Sequence, residues 1–106
     1  LFEAAQEQDI FAIGVDADQA KLFPDAPILT SVVKRVDNAV FQTIQETRDG
    51  SFPGGKVVEF GLDDKGISLA PFGRFDDQVP QNVKDEVDEA QQGIIAGDIK
   101  VPDKVQ

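Results

Sequence analysis

Ile10-Phe11-Ala12-Ile13-Gly14-Val15, closed by Asp16-Ala17-Asp18-Gln19, is the stretch that decides the fold of this chain. An unbroken apolar run of this length, rich in β-branched and aromatic side chains, has the size of a strand. It suits one covered on both faces, as strands of parallel sheets are. The abrupt polar stop places Asp16 at the carboxyl edge of such a sheet. Before it, residues 1–9 (LFEAAQEQD) read as the last turns of a helix.

Working outward, residues 20–27 (AKLFPDAP) hold two prolines and read as a loop. Ile28 and Leu29 begin a short second strand. Thr30 or Ser31 is then placed to cap a helix, because a side-chain oxygen there satisfies free N–H groups of the first turn. That helix is expected to run to about Arg48, since Val33, Val36, Val40, Ile44 and Thr47 fall on one helical face. Val32, Ala39 and Phe41 widen the face, and Gly50 supplies a stop. Ser51–Gly55 reads as a turn and Lys56–Leu62 as a strand. Asp63-Asp64-Lys65-Gly66 reads as a turn, with Gly66 free to take a positive φ. Ile67–Ala70 is a further short strand, pairing with the one before it as a hairpin or bent pair. Pro71–Gln78 reads as loop. Pro80 opens a second amphipathic helix, with Val83, Val87, Ala90 and Ile94 on its inner face and Gly97 at its end. Its outer face carries Asp85, Glu86, Asp88 and Glu89. Residues 99–106 read as a last extended or frayed segment. Strands alternating with helices make the fold class α/β.

Composition narrows the chemistry. The 106 residues carry 10 basic and 20 acidic side chains, a net charge of −10. Such a balance disfavours nucleic acid or an anionic membrane as partner. There is no Cys and no His, which removes zinc sites, thiol nucleophiles, disulfides and Ser-His-Asp triads. No apolar run is long enough to span a membrane. There is also no Met, so the chain is expected to be part of a longer protein.

Two familiar patterns fail on inspection. Gly50-x4-Gly55-Lys56 approaches a phosphate-binding loop, but Val57 follows where a hydroxyl is needed for magnesium, and it joins a helix to a strand rather than the reverse. Asp16-x-Asp18 opens like a calcium loop, but Ala20 and Lys21 stand where an oxygen ligand and a glycine belong. The acidic doublets Asp63-Asp64 and Asp76-Asp77 read as solvated turns, so no metal and no cofactor is expected.

Asp16 differs by position. In open parallel α/β sheets ligands bind outside the carboxyl ends of the strands. Asp16 leaves one such end, and Lys34 is expected in the first turn of the helix after the next strand. If those strands are neighbours, the two side chains meet over one sheet edge. A carboxylate accepts hydrogen bonds from hydroxyls and an ammonium donates them, so the pair suits a vicinal diol of a sugar. Spacing alone favours a capping Asp and a surface Lys, because charged residues at strand ends are common.

Longer words change that balance. Ile13-Gly-Val-Asp-Ala-Asp-Gln19, then Ile28-Leu-Thr-Ser-Val-Val-Lys-Arg-Val-Asp-Asn-Ala-Val40, resemble the C-terminal part of the basic membrane protein family. Phe60-Gly-Leu62, Gly66-Ile-Ser-Leu-Ala-Pro-Phe72, Val79-Pro80 and Ile94-Ile-Ala-Gly-Asp-Ile-Lys-Val-Pro102 continue the resemblance in order. The family comprises bacterial substrate-binding lipoproteins of ABC importers. The resemblance implies a type I periplasmic-binding-protein fold, with two doubly wound, mostly parallel lobes closing on a ligand at a hinge. This chain would be the C-terminal portion. It implies a nucleoside, of the purine class, as ligand, with Asp16 and Lys34 on the ribose hydroxyls, and ABC permease subunits as partners. It also implies an envelope location, held to the membrane only by a lipid anchor upstream. Segments near residues 31 and 62 are expected hinge crossings, and Phe72 and Phe75 are expected in packing rather than on the base.

The leading reading is therefore a binding protein, not an enzyme, with one alternative and one remote alternative behind it. The first is a nucleoside-binding component of an importer. The second is a ligand-sensing regulatory domain of the same fold. The third, an enzyme on a Rossmann-like sheet, lacks any visible nucleophile–base pair.

Overall fold

The structure, a computed structural model, describes residues 1–102; the end of the expected tail lies outside the described residues. In chain order the elements are α1 (Phe2–Glu7), β1 (Ala12–Asp16), α2 (Gln19–Leu22), β2 (Ile28–Lys34), α3 (Val36–Arg48), β3 (Ile67–Leu69), a 3-10 segment (Gly73–Gln78) and α4 (Gln81–Ala96). The strands form one sheet in the order β1-β2-β3. β1 and β2 run parallel, with Gly14 opposite Ser31 and Asp16 opposite Val33. β3 is antiparallel to β2, with Lys34 opposite Ile67. The expected mixed α/β class with a parallel strand pair and flanking helices is what forms.

β2 is longer than expected. Thr30 and Ser31 do not cap a helix; they lie inside the strand and are buried. Their hydroxyls serve lateral links instead. Thr30 Oγ1 donates to the Ala70 carbonyl at 2.6 Å, and Ser31 Oγ accepts the Gln19 backbone N–H at 3.1 Å. The β-branched residues Ile28, Thr30, Val32 and Val33 suit a pleated backbone flanked on both sides. Lys34 therefore ends a strand rather than beginning a helix, and α3 starts two residues later, after Arg35.

Two other expectations are corrected between α3 and β3. Residues 56–62 pair with no strand among the described residues, so the expected hairpin is absent; Val57 is 91% exposed. The turn that follows closes on the Asp64 carboxylate, whose Oδ1 accepts the N–H groups of Gly61 and Gly66. The positive φ there falls on Lys65, not Gly66. Elsewhere the proline-containing segment includes the short helix α2, and the loop before α4 contains the 3-10 segment.

α4 follows Pro80 as expected. It ends on Gly97 at φ 82°. Asp98 N–H donates to the Gly93 carbonyl and Gly97 N–H to that of Ile94, the paired bonds of a Schellman motif. α3 ends the same way, with Ser51 and Gly50 donating to Glu46 and Thr47.

Burial is where the chain departs most from its patterning. Among the described residues, Ala5, Ala12, Ile28 and Ala70 are the buried hydrophobic ones. The strand expected to be covered on both faces has one face covered: Ala12 and Gly14 are buried, Gly14 against Gln19 of α2, while Ile13 and Val15 are more than half exposed. The α3 stripe Val36, Val40 and Ile44 also lies open. The side of α3 turned to the rest of the chain carries Asn38 and Gln42, which donate to the carbonyls of Lys65 and Asp64. The radius of gyration is 16.7 Å, against about 13 Å for a packed domain of this length. The periodicity reports a face suited to burial, but no layer covers it among the described residues.

Gly97→Ala tests the helix stop. No atom lies within 4 Å of a Cβ there, so the cost is the left-handed backbone alone, about 1–2 kcal/mol. The expected result is a lowered urea midpoint with an unchanged slope.

Candidate functional site

Because β1 and β2 are parallel neighbours, their carboxyl ends lie side by side, and Asp16 and Lys34 are the last residues of the two strands. Lys34 Nζ stands 2.6 Å from Asp16 Oδ1. The two residues singled out from the sequence are thus in direct contact over one sheet edge, although Lys34 arrives there from a strand. Both side chains are about two-thirds exposed. An ion pair this open contributes about 0–1 kcal/mol to stability. Its exposure leaves it little part in holding the fold. With a donor and an acceptor side by side, it can accept a hydrogen bond from one hydroxyl of a diol and donate one to the neighbouring oxygen.

The backbone around Asp16 is unusual. Its φ is 76°, and Ala17 N–H reaches back to the Val15 carbonyl at 3.1 Å. Gln19 Nε2 donates to the same carbonyl at 2.8 Å. Gly14 permits this arrangement, since a Cβ there would fall 2.8 Å from Gln19 Cβ and on top of Ser31 Oγ. Nothing in the spacing of the sequence singles out Gln19, which reads there as part of a polar stop.

On the other side of Lys34, Arg35 joins β2 to α3. Its guanidinium makes a two-pronged contact with Asp37, at 2.9 and 2.7 Å. Arg35 is thereby engaged, leaving Lys34 as the cation that meets Asp16. A cleft of about 230 Å³ opens beside Lys34, lined by Ala39, Phe60, Gly66 and Ile67. The aromatic residues Phe72 and Phe75 lie elsewhere. Phe75 packs edge-on against Phe11 with ring centres 5.0 Å apart, under the Arg74 guanidinium. Phe72 is half-buried near Lys84, which pairs with Asp76 at 2.8 Å.

The hydrogen bond from Arg35 holds the Asp37 carboxyl below the usual carboxylate range, and Asp37 in turn raises Arg35. A carboxyl lowered in the folded state stabilises fully above its ordinary pKa, and that contribution is lost as pH falls through the lowered value. In Arg35→Gln the Asp37 titration followed by NMR is expected to move up to the ordinary carboxylate midpoint, and an unchanged midpoint would refute the assignment.

Comparison with known proteins gives this geometry a context. Residues 1–105 match the family described as "ABC transporter substrate-binding protein PnrA-like". The chain is 40% identical over 103 residues to a CD4+ T-cell-stimulating antigen of Listeria innocua, covering 90% of this chain and 28% of that protein. It is 35% identical to the ABC transporter nucleoside-binding protein BmpA of Lactococcus lactis, again covering 90% of this chain and 28% of that protein. Among solved structures, a transcriptional activator of the comK gene from Bacillus halodurans superposes with a TM-score of 0.71 at 30% identity. That match covers 89% of this chain and 31% of the other. The chain thus spans less than a third of the length of these relatives. Its match nevertheless runs through the sheet edge that carries Asp16 and Lys34, and the chain belongs to the family of PnrA-like ABC transporter substrate-binding proteins.

Proposed function

We propose that this chain forms the C-terminal part of a nucleoside-binding protein that serves an ABC importer, with Asp16 and Lys34 holding the ribose hydroxyls. The observation that carries the proposal is the contact between Lys34 Nζ and Asp16 Oδ1 at the carboxyl edge of two parallel strands. Ligands of open α/β sheets bind at that edge. The similarity to a nucleoside-binding relative supports the ligand class. The protein would work outside the cytoplasmic membrane, hand its ligand to permease subunits, and be held to the membrane by a lipid anchor upstream of this segment. No helix among the described residues is long and apolar enough to cross a membrane. The chain would cross between the two lobes near residues 31 and 62.

A second reading is favoured by one observation, the likeness to a transcriptional activator. There the same ligand-binding fold would sense a nucleoside rather than deliver it. A lipid-bearing cysteine upstream would favour transport, and a DNA-binding segment would favour sensing.

Calorimetry on the complete polypeptide, with a panel of purine and pyrimidine nucleosides, tests the ligand. The expected outcome is saturable binding that Asp16→Ala weakens by about 1.5–3 kcal/mol, the contribution of a charge-assisted hydrogen bond. Absence of heat with every nucleoside would reject the ligand class. Binding unaffected by Asp16→Ala would reject the site.

A further inference from the structure

Strand geometry on its own would keep Asp16 and Lys34 apart. Side chains alternate between the two faces of a sheet, and residues in register across a parallel pair share a face. Gly14 is opposite Ser31, and Asp16 is opposite Val33. A regular strand would therefore point Asp16 to the Gly14 and Ser31 face, under α2, and Lys34 to the other. The two nevertheless touch.

What re-aims Asp16 is the turn around it. A backbone hydrogen bond from Ala17 to Val15 across a central residue at φ 76° is the rarer, strained form of γ-turn. A non-glycine residue stays in such a conformation only where its surroundings fix it. Here the Val15 carbonyl is held a second time, by the Gln19 side-chain amide. Gln19 is itself anchored, its backbone N–H donating to the hydroxyl of the fully buried Ser31. Its side-chain stem fills the space that Gly14 leaves without a Cβ. A continuous path thus runs from the middle of β2, through α2, to the carbonyl that closes the turn.

We infer that Gln19 is a positioning residue: its amide locks the γ-turn that swings the Asp16 carboxylate off the strand's alternation and onto Lys34. This rests on the ribose-binding role proposed for Asp16. Gln19 does not need to touch the ligand. Without its amide, Asp16 relaxes into extended backbone and the diol-binding pair comes apart.

Gln19→Met in the complete polypeptide keeps the length of the side chain and its packing against Gly14 but removes the amide. Affinity for inosine is expected to fall about ten- to hundredfold, as for loss of one charge-assisted hydrogen bond. Affinity for 2′,3′-dideoxyinosine is expected to stay unchanged. In an Asp16→Asn background the same substitution should have no further effect on inosine binding. Equal losses for both ligands, or an undiminished loss in that background, would mean a general structural role and overturn the inference. A ligand-free crystal structure of Gln19→Met provides a second arm, with Asp16 expected at negative φ and withdrawn from Lys34. A retained γ-turn with the ion pair intact would overturn the inference whatever the ligand. If the unaltered protein binds no nucleoside, the ligand proposal fails and this second arm alone decides the role of Gln19.

Discussion

The close approach of α2 to β1 is the constraint from which the rest of this sheet edge follows. It is possible because Gly14 has no side chain and Ser31 offers a hydroxyl, fully buried, directly across the strand pair. A buried hydroxyl without a partner would be costly, and the Gln19 N–H satisfies it. One small residue and one small polar residue, opposite each other in register, thereby fix where the crossover from β1 to β2 begins. On the far side of β2, Thr30 and Ser31 also bond to Ala70. β2 is consequently tied to both flanks through neighbouring residues, and its last residue, Lys34, is held at a defined height over the sheet edge.

Much of this was legible in the residues themselves. The 3.6-residue periodicity of Val36, Val40 and Ile44, and of Val83, Val87 and Ile94, locates α3 and α4. The stop after Val15 correctly marks a strand end. That Asp16 and Lys34 share one sheet edge follows from treating two strands as parallel neighbours, but their contact across the alternation of faces does not. The junction at residues 30–35 was not legible, because Thr-Ser-Val-Val serves equally as a cap followed by a helix or as a strand. Lateral hydroxyl bonds to α2 and to residue 70, far apart in sequence, decide between them. The γ-turn at Asp16 was equally hidden, since it is fixed by side-chain and backbone bonds that no local propensity encodes.

Charged and apolar side chains share the surface of the described residues. Asp85, Glu86, Asp88 and Glu89 are exposed along the outer side of α4, where acidic side chains are well solvated. Open apolar positions occur on β1 at Ile13 and Val15, on α3 at Val36, Val40 and Ile44, and on α4 at Val83 and Ile95. Between the sheet and α4 a cavity of about 430 Å³ is lined by apolar side chains including Val32, Leu69, Val87 and Ile94. It has the character of a loosely filled interlayer space. Ion pairs stand at the strand ends, between Lys34 and Asp16, and also at the start of α4, between Lys84 and Asp76.

That the ion pair is already closed has a thermodynamic consequence. A free lysine side chain carries up to about 2 kcal/mol of rotamer entropy that must be lost when it is fixed on a partner. Contact with Asp16 restricts Lys34 before any ligand arrives, so this loss belongs to the resting state rather than to capture. In the site proposed for these two residues, association would exchange one set of polar contacts for another of similar geometry. Such an exchange would let the proposed site bind and release repeatedly without reorganising its own side chains.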